Sequence, residues 1–335
     1  MNILVTGGAG YVGSHTVRTL VSAGHDVVVL DNLTAGHAAA VAPEARLIVG
    51  EIEDAVLLDD LFTAGRFDAA VHFAAFIEVG ESVREPLRFY ANNVGNTVRL
   101  LDAMRRHDVR RFVFSSTCAV YGIPERMPLV EDMPRRPASP YARAKLAVEW
   151  ALEDSASAWG LGFVALRYFN AAGAAADAAI GEDHHPETHL IPNVLKVALG
   201  QREEVRIFGT DYDTPDGTCL RDYVHVEDLA AAHVRALDVL QAGEARFYNA
   251  GTGRGLSVRE VVDLAREVTG HPIPVIEEAR RPGDVPMLYA DAGLIQRELG
   301  WKPQYDDPRD VVASAWAWHE SHPNGFDDRP QGAQP

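Results

Sequence analysis

The sequence is short of cysteine, of basic charge and of long apolar runs, and each shortage excludes something. Cys118 and Cys219 are its only two cysteines, too few for a disulfide framework and not spaced as a zinc ligand set. Lys and Arg total 31 against 48 Asp and Glu, a formal net charge of −17. An acidic chain without basic blocks is a poor match for nucleic-acid backbones or anionic membrane surfaces. No nucleic-acid or membrane partner is expected, and any phosphate must be held by a few placed groups. There is no 18-residue apolar run, and Met1 leads into Ile3-Leu4-Val5-Thr6 without a basic leader. The expectation is a soluble, cytoplasmic protein.

What the chain does have is apolar content: 47% of 335 residues, enough for one large α/β domain or two ordinary ones. Short, nearly continuous apolar runs stand at Ile3–Thr6, Val27–Leu30, Leu47–Val49, Ala69–Ala74, Phe112–Ser115 and Phe163–Leu166. That is the pattern of parallel strands buried on both faces. Between them, helices are predicted over Val12–Ala23, Ala55–Ala64, Asn93–Arg106 and Tyr141–Ala158. Strand and helix in regular alternation give crossover units and a doubly wound parallel sheet.

After Tyr168 the texture changes. Gly, Pro, His and acidic residues fill Ala171–Pro186, and short helices are predicted over Leu190–Leu199, Asp228–Val239 and Val258–Val268. We expect a first domain over 1–170, a smaller one over 171–326, and a disordered polar tail over 327–335. Arg246–Asn249 reads as a strand able to rejoin the main sheet near 246–250.

The first strand runs into Gly7-Gly8-Ala9-Gly10-Tyr11-Val12-Gly13 and then a helical pattern. Glycines there permit a tight turn, close approach of backbone to a pyrophosphate, and close helix–strand packing. The helix N-terminus adds free N–H groups and a positive dipole end, which lets an acidic protein hold an anionic cofactor. Asp31 closes the second strand 18 residues after Gly13, and the next arginine is Arg46. A carboxylate there accepts ribose hydroxyls and repels a 2′-phosphate, so the cofactor expected is NAD rather than NADP.

Ser139-Pro140-Tyr141-Ala142-Arg143-Ala144-Lys145 opens a predicted helix. Ser139 suits the cap and Pro140 the first turn, so Tyr141 and Lys145 fall one turn apart on one face. An ammonium beside a phenol favours the phenolate, and a tyrosine so tuned can act as a base toward an alcohol. Phe112-Val113-Phe114-Ser115-Ser116-Thr117 places hydroxyls at the carboxyl end of a buried strand, where such sheets bind ligands.

These segments, with Val120-Tyr121-Gly122, resemble the extended short-chain dehydrogenase/reductase family. Within it, the likeness is to the UDP-sugar 4-epimerase branch. It is carried by His72-Phe73-Ala74-Ala75, Gly80-Glu81-Ser82, Arg167-Tyr168-Phe169-Asn170, Arg221-Asp222-Tyr223-Val224-His225-Val226 and Arg281-Pro282-Gly283-Asp284. The resemblance covers nearly the whole chain apart from the tail. It implies a Rossmann-type NAD domain, a smaller C-terminal nucleotide-sugar-binding domain and a homodimer. It also implies C4 oxidation of a UDP-sugar, rotation of the 4-keto sugar and re-reduction.

By the same resemblance, Tyr141 is the base, Lys145 its electrostatic partner and a ribose ligand, and Thr117 the hydroxyl beside the sugar. Gly7, Gly10, Tyr11, Val12, Gly13, Asp31, Asn32, Glu51, Ile52, Phe73, Ala74, Ala75, Asn93, Ser115 and Tyr168 are implied to line the NAD site. Asn170, His189, Leu190, Phe208, Arg221, Arg281 and Asp284 are implied to bind the uridine diphosphate part, and Leu288 to stand beside the sugar's 2-substituent. Three positions depart from the family pattern: Glu51 for a frequent Asp, Ile77 for a Lys in some members, and His189 for an Asn.

UDP-galactose and UDP-glucose are the expected pair, with other UDP-sugars such as UDP-N-acetylglucosamine as the alternative. Dehydration is disfavoured, because Thr117 is followed by Cys118-Ala119 and not by an acid–base pair. A non-catalytic NAD-binding regulator would have no need of Tyr141 and Lys145 in register. Glu182, Asp183, His184, His185, Glu187 and His189 offer metal-ligand types. They lie in an irregular stretch without a metalloenzyme spacing, so the segment reads as a polar loop and no metal is expected.

Overall fold

Leu4 and its neighbours show why these runs become the middle of a sheet. Ile3 and Val5 pack into one apolar cluster and Leu4 into another, and all three are fully buried. The structure, a computed structural model, describes residues 1–281 and 284–328. Its main sheet contains β1 (Asn2–Thr6), β2 (Asp26–Asp31), β3 (Arg46–Val49), β4 (Ala69–His72), β5 (Arg111–Thr117) and β6 (Gly162–Tyr168). A seventh strand, Ala245–Ala250, lies beside β6, and the order onward is β5, β4, β1, β2, β3. Every pairing is parallel. This is a Rossmann-type doubly wound sheet, with its switch point between β1 and β4.

One face is covered by α1 (Tyr11–Ser22), through Val17 and Leu20, and by the helix Val226–Val239, through Leu229, Ala232, Ala236 and Leu237. The other is covered by α2 (Ala55–Gly65) and by the helices Thr97–Arg106 and Pro140–Trp159. A second lobe is built on the helices Leu190–Ala198, Val258–Thr269 and Pro308–Ser321, which bury Ile191, Val194, Val261, Val262, Val311 and Val312 together. Short strands edge this lobe: Val205–Phe208 pairs with Val275–Glu278, and Leu220–Arg221 lies between Leu256–Ser257 and Met287–Leu288. None of the helices among the described residues is long and apolar enough to cross a membrane.

Several expectations need correction. A single cut at 171 does not separate two units. The Ala245–Ala250 strand rejoins the main sheet, as expected of Arg246–Asn249, and the Val226–Val239 helix and the later Ile295, Leu299 and Trp301 return to the first core with it. Their apolar faces fit the sheet, and chain order is no obstacle to that. The strand expected to Ala74 stops at His72, because the Phe73 and Ala74 N–H groups both turn to the Thr6 carbonyl, at 2.8 and 3.1 Å. The helix expected from Asn93 becomes regular only at Thr97, after a wider π-helical stretch over Tyr90–Asn96. Disorder expected from Asp327 is not what Asp328 displays. Its carboxylate accepts from Ala39 N at 3.0 Å and meets His37 Nδ1 at 2.8 Å. Residues 329–335 lie outside the described residues.

Candidate active site

At the switch point the glycine loop is packed too tightly for side chains. A Cβ on Gly7, whose φ is +75°, would lie 2.4 Å from Ala74 N, and one on Gly13 would lie 2.2 Å from the Gly7 carbonyl. Gly10 has no such neighbour, and it is the N-cap of α1 without any side-chain cap. The first-turn N–H groups at Tyr11, Val12 and Gly13 therefore lack intrahelical partners and face an open approach. No acidic residue stands in that turn.

Asp31 ends β2 nearly buried, and its two oxygens accept from Ala9 N and Leu33 N, both at 2.9 Å. Burial pushes its carboxyl above the ordinary value, against those two hydrogen bonds. Each oxygen keeps a lone pair for a further donor. Asn32 Nδ2 donates to Glu51 at 3.1 and 3.2 Å, so the two come together at the ends of β2 and β3, with Ile52 buried beside them. Asn93 is tied to the segment after β4. Its Oδ1 accepts from Phe76 N and its Nδ2 donates to Phe76 O, both at 2.9 Å. It braces the Phe73–Ala75 stretch that covers Gly7. The Phe73 ring in turn rests 4.7 Å from His233.

These features fit a dinucleotide on observations of this chain alone: a loop that only glycine permits, free helix N–H groups and a buried carboxylate at the second strand end.

Across the crevice, Ser139 caps the Pro140–Trp159 helix by accepting from Ala142 N at 3.2 Å, with Pro140 in the first turn. Lys145 is 3% exposed and donates to the Ser115 carbonyl at 2.8 Å, its ammonium 4.9 Å from the Phe114 ring centre. Burial alone pulls its pKa down to about 7. The Tyr141 phenol moves the other way: burial raises it above its ordinary value, while the Thr117 hydroxyl lowers it. The Lys145 ammonium is directed to the β5 backbone, and the group seen to lower the phenol is Thr117. Ser115 Oγ meets the Tyr168 hydroxyl at 2.7 Å, and Tyr11 Oη donates to the Gly173 carbonyl at 2.6 Å.

A network that sequence reading missed holds this strand end. Ser116 donates to Glu149 at 2.7 Å, and Arg167 grips the same carboxylate through two bonds of 2.9 and 2.8 Å. Arg167 also donates to Tyr121 Oη at 2.9 Å, which donates to Asn249 Oδ1 at 2.7 Å.

In the second lobe, Asn170, His189, Leu190, Phe208, Arg221, Arg281 and Asp284 line one cavity of about 390 Å³. The sequence reading omitted Asn193, Arg206, Cys219, Tyr223 and Val258 from the same wall. Their signal is weak because short irregular strands deliver them. The Arg281 guanidinium sits 4.7 Å from the Phe208 ring centre, and its Nε donates to Asp284 at 3.1 Å. Arg221 donates to the carbonyls of Leu220 at 2.9 Å and Val285 at 2.8 Å. Leu288 is not on this wall. It pairs in register with Arg221 and packs against the cluster holding Phe169 and Cys118. At the other end, Glu182 and Glu187 flank His189 and push its pKa up to about 11 against the effect of burial. Pro282 and Gly283, which carried part of the resemblance, lie outside the described residues.

Residues 3–251 match the NAD dependent epimerase/dehydratase family, and the chain belongs to that family. It is 50% identical over 330 residues to the UDP-glucose 4-epimerase of Lacticaseibacillus casei, covering 98% of this chain and all of that one. A solved UDP-glucose 4-epimerase from Brucella ovis, in complex with NAD, superposes with a TM-score of 0.91 at 46% identity, over 94% of this chain and 97% of that one. One from Bifidobacterium longum, in complex with NAD+ and UDP, gives a TM-score of 0.92 at 39% identity, over 97% and 100%.

Proposed function

We infer that this protein is an NAD-dependent isomerase that interconverts UDP-galactose and UDP-glucose by inverting C4 of the hexose. The observation that carries the reading is near-full-length identity of about one half to a UDP-glucose 4-epimerase. The arginine-lined cavity of the second lobe agrees with it. NAD, when bound, supplies reversible two-electron oxidation at the sugar carbon.

The chain's own residues do the rest. Tyr141 takes the proton from the sugar's 4-hydroxyl and gives it back on the other face. Thr117 orients that hydroxyl and favours the ionised phenol. Lys145 has one carbonyl partner and two N–H groups left for ribose hydroxyls. Arg221 and Arg281 bind the diphosphate, whose charge suits guanidinium forks. They hold the nucleotide while the sugar turns, so both faces of C4 meet the same base. Gly7, Gly10 and Gly13, the first-turn amides, Asp31, Asn32, Glu51, Ile52, Phe73, Ala74, Ala75, Asn93, Ser115 and Tyr168 enclose the cofactor. Enclosure serves the reaction, because the same cofactor must return what it removed.

The first lobe is then the NAD domain and the second the nucleotide-sugar domain. We place the enzyme in the cytoplasm, in keeping with two unpaired thiols. It acts as a homodimer, for which Val79, Val83, Leu87, Val98 and Trp150 supply exposed apolar surface on helices packed together. Purified protein incubated with UDP-galactose, without added NAD, should accumulate UDP-glucose. No turnover of any UDP-sugar would leave only a cofactor-binding role.

A further inference from the structure

Glu182, His184, Glu187 and His189 fall within eight residues of one irregular segment, and one ligand atom from each lies within 4.8 Å of all the others. His189 Nδ1 is 2.9 Å from Glu182 Oε1 and 2.8 Å from Glu187 Oε1. His184 Nδ1 is 3.1 Å from Glu182 Oε1 and 3.8 Å from Glu187 Oε2. Around a tetrahedral zinc ion, imidazole and carboxylate ligands at normal bond lengths stand about 3.3 Å from one another. The three shorter contacts lie inside that edge and the fourth, to the other Glu187 oxygen, lies outside it, so small side-chain shifts would bring four ligand atoms round one ion. We propose that these four residues form a divalent-cation site of the zinc class, which clips the wall of the diphosphate cavity to the segment leading into it.

Charge supplies a second, independent reason. The Glu182 and Glu187 side chains are 5% and 2% exposed, and buried carboxylates require compensation. Among the described residues no Lys or Arg forms an ion pair with either; Lys196 and His319 lie only within electrostatic range. One divalent ion supplies the charge that two buried carboxylates call for. Two imidazole nitrogens and two carboxylates without thiolate select zinc or a neighbouring transition ion over calcium or magnesium, which take oxygen ligands.

The site also has a structural task. His189 is the N-cap of the Leu190–Ala198 helix and makes no side-chain cap bond there. Glu182 and His189 line the cavity, while the His184 ring meets the edge of Tyr11, the first residue of α1, at 6.1 Å. With a metal on Nδ1, the remaining His189 nitrogen must carry hydrogen and can only donate. An occupied site therefore presents a donor, never an acceptor, from that ring.

The test uses the full-length protein with its cofactor. Metal analysis after dialysis against zinc, then against zinc-free buffer, should find one zinc per chain. Cobalt exchanged into the site should give the intense visible absorption of a tetrahedral ion. His184→Gln keeps a hydrogen-bonding side chain but loses the ligand, and should lower zinc retention at least tenfold and abolish the cobalt spectrum. Glu187→Gln should do the same while the circular dichroism of both variants stays that of the parent. Stoichiometry well below one zinc per chain would overturn the site, as would equal retention by both variants. Neither readout uses turnover, so failure here is distinct from failure of the epimerase reading.

Discussion

Lys145 Nζ donates to the carbonyl of Ser115, 2.8 Å away on the neighbouring strand, and not to the phenol of Tyr141 one helical turn earlier. The two side chains share a helix face, yet burial acts on them in opposite senses. It raises the phenol and lowers the ammonium. The lysine thus anchors the strand end and keeps donors for a ligand, while Thr117 is the group that favours the ionised tyrosine.

Removing the tyrosine hydroxyl tests the proposed base. Tyr141→Phe should lower kcat by about a hundredfold to ten-thousandfold, the usual worth of a general base, while leaving bound NAD unchanged. Quantifying cofactor released on denaturation, beside initial rates with UDP-galactose, checks both halves. A rate near that of the parent would remove Tyr141 from the role.

Stability against pH tests the buried ammonium. Its folded-state pKa is about 7 against an ordinary 10.5. Below about 7 both folded and unfolded chains hold the proton, and the burial penalty is complete. Between about 7 and 10.5 the unfolded chain binds more protons, so this group makes stability rise with pH. Cofactor-stripped parent should therefore gain Tm relative to Lys145→Met between pH 6.5 and 9.5. A constant difference would show that Lys145 titrates as an exposed lysine does.

What could be read from the sequence was mostly what is local along the chain. The glycine loop, Asp31 at the strand end and the Tyr141–Lys145 spacing are each set by a few successive residues and one regular element. Asn193, Arg206 and Tyr223 reach the cavity only because short strands and a helix of the second lobe converge there. Glu149 and Arg167 are individually ordinary charges, and only the neighbouring positions of β6 and the Pro140–Trp159 helix make them a buried pair. The polar loop at 182–189 offered ligand types without a recognisable spacing, and only its irregular backbone brings their side chains together.

Asp31 has two duties, and its replacement should expose both. Its oxygens pin Ala9 N and Leu33 N, and the proposed cofactor site adds the ribose hydroxyls as further donors. Asp31→Ala should weaken NAD roughly 10- to 100-fold, the worth of lost hydrogen bonds to a charged acceptor. The NADP to NAD preference should shift toward NADP, although absolute NADP affinity gains little because the loop loses its anchor. Equal use of both cofactors by the parent would defeat the selectivity.

The proposed dimer surface can be broken at one residue. Trp150 is 53% exposed on a helix whose inner face is buried, and a charge there has no partner in an apolar interface. Trp150→Glu should turn a dimer into a monomer by light scattering at micromolar concentration, with Tm changed little. A parent protein already monomeric under those conditions would refute the interface.

Sugar selectivity is proposed to rest on Leu288. It is half-buried on the two-residue strand beside Arg221 and packs toward Phe169 and Cys118. Thr117, the proposed hydroxyl beside the sugar, immediately precedes that cysteine. A leucine leaves more room there than an aromatic ring but less than a small side chain. Overpacking of that order costs about 1–3 kcal/mol, or roughly ten- to a hundredfold in rate. The parent should therefore epimerise UDP-galactose efficiently and UDP-N-acetylglucosamine weakly but measurably. Leu288→Tyr should abolish the second activity and spare the first, because the added ring occupies the space an N-acetyl group needs and leaves a 2-hydroxyl untouched. The check is kcat/KM for both sugars on both proteins. Equal rates on the two sugars by the parent, or an N-acetyl activity that survives Leu288→Tyr, would show that some other side chain sets the size of the pocket.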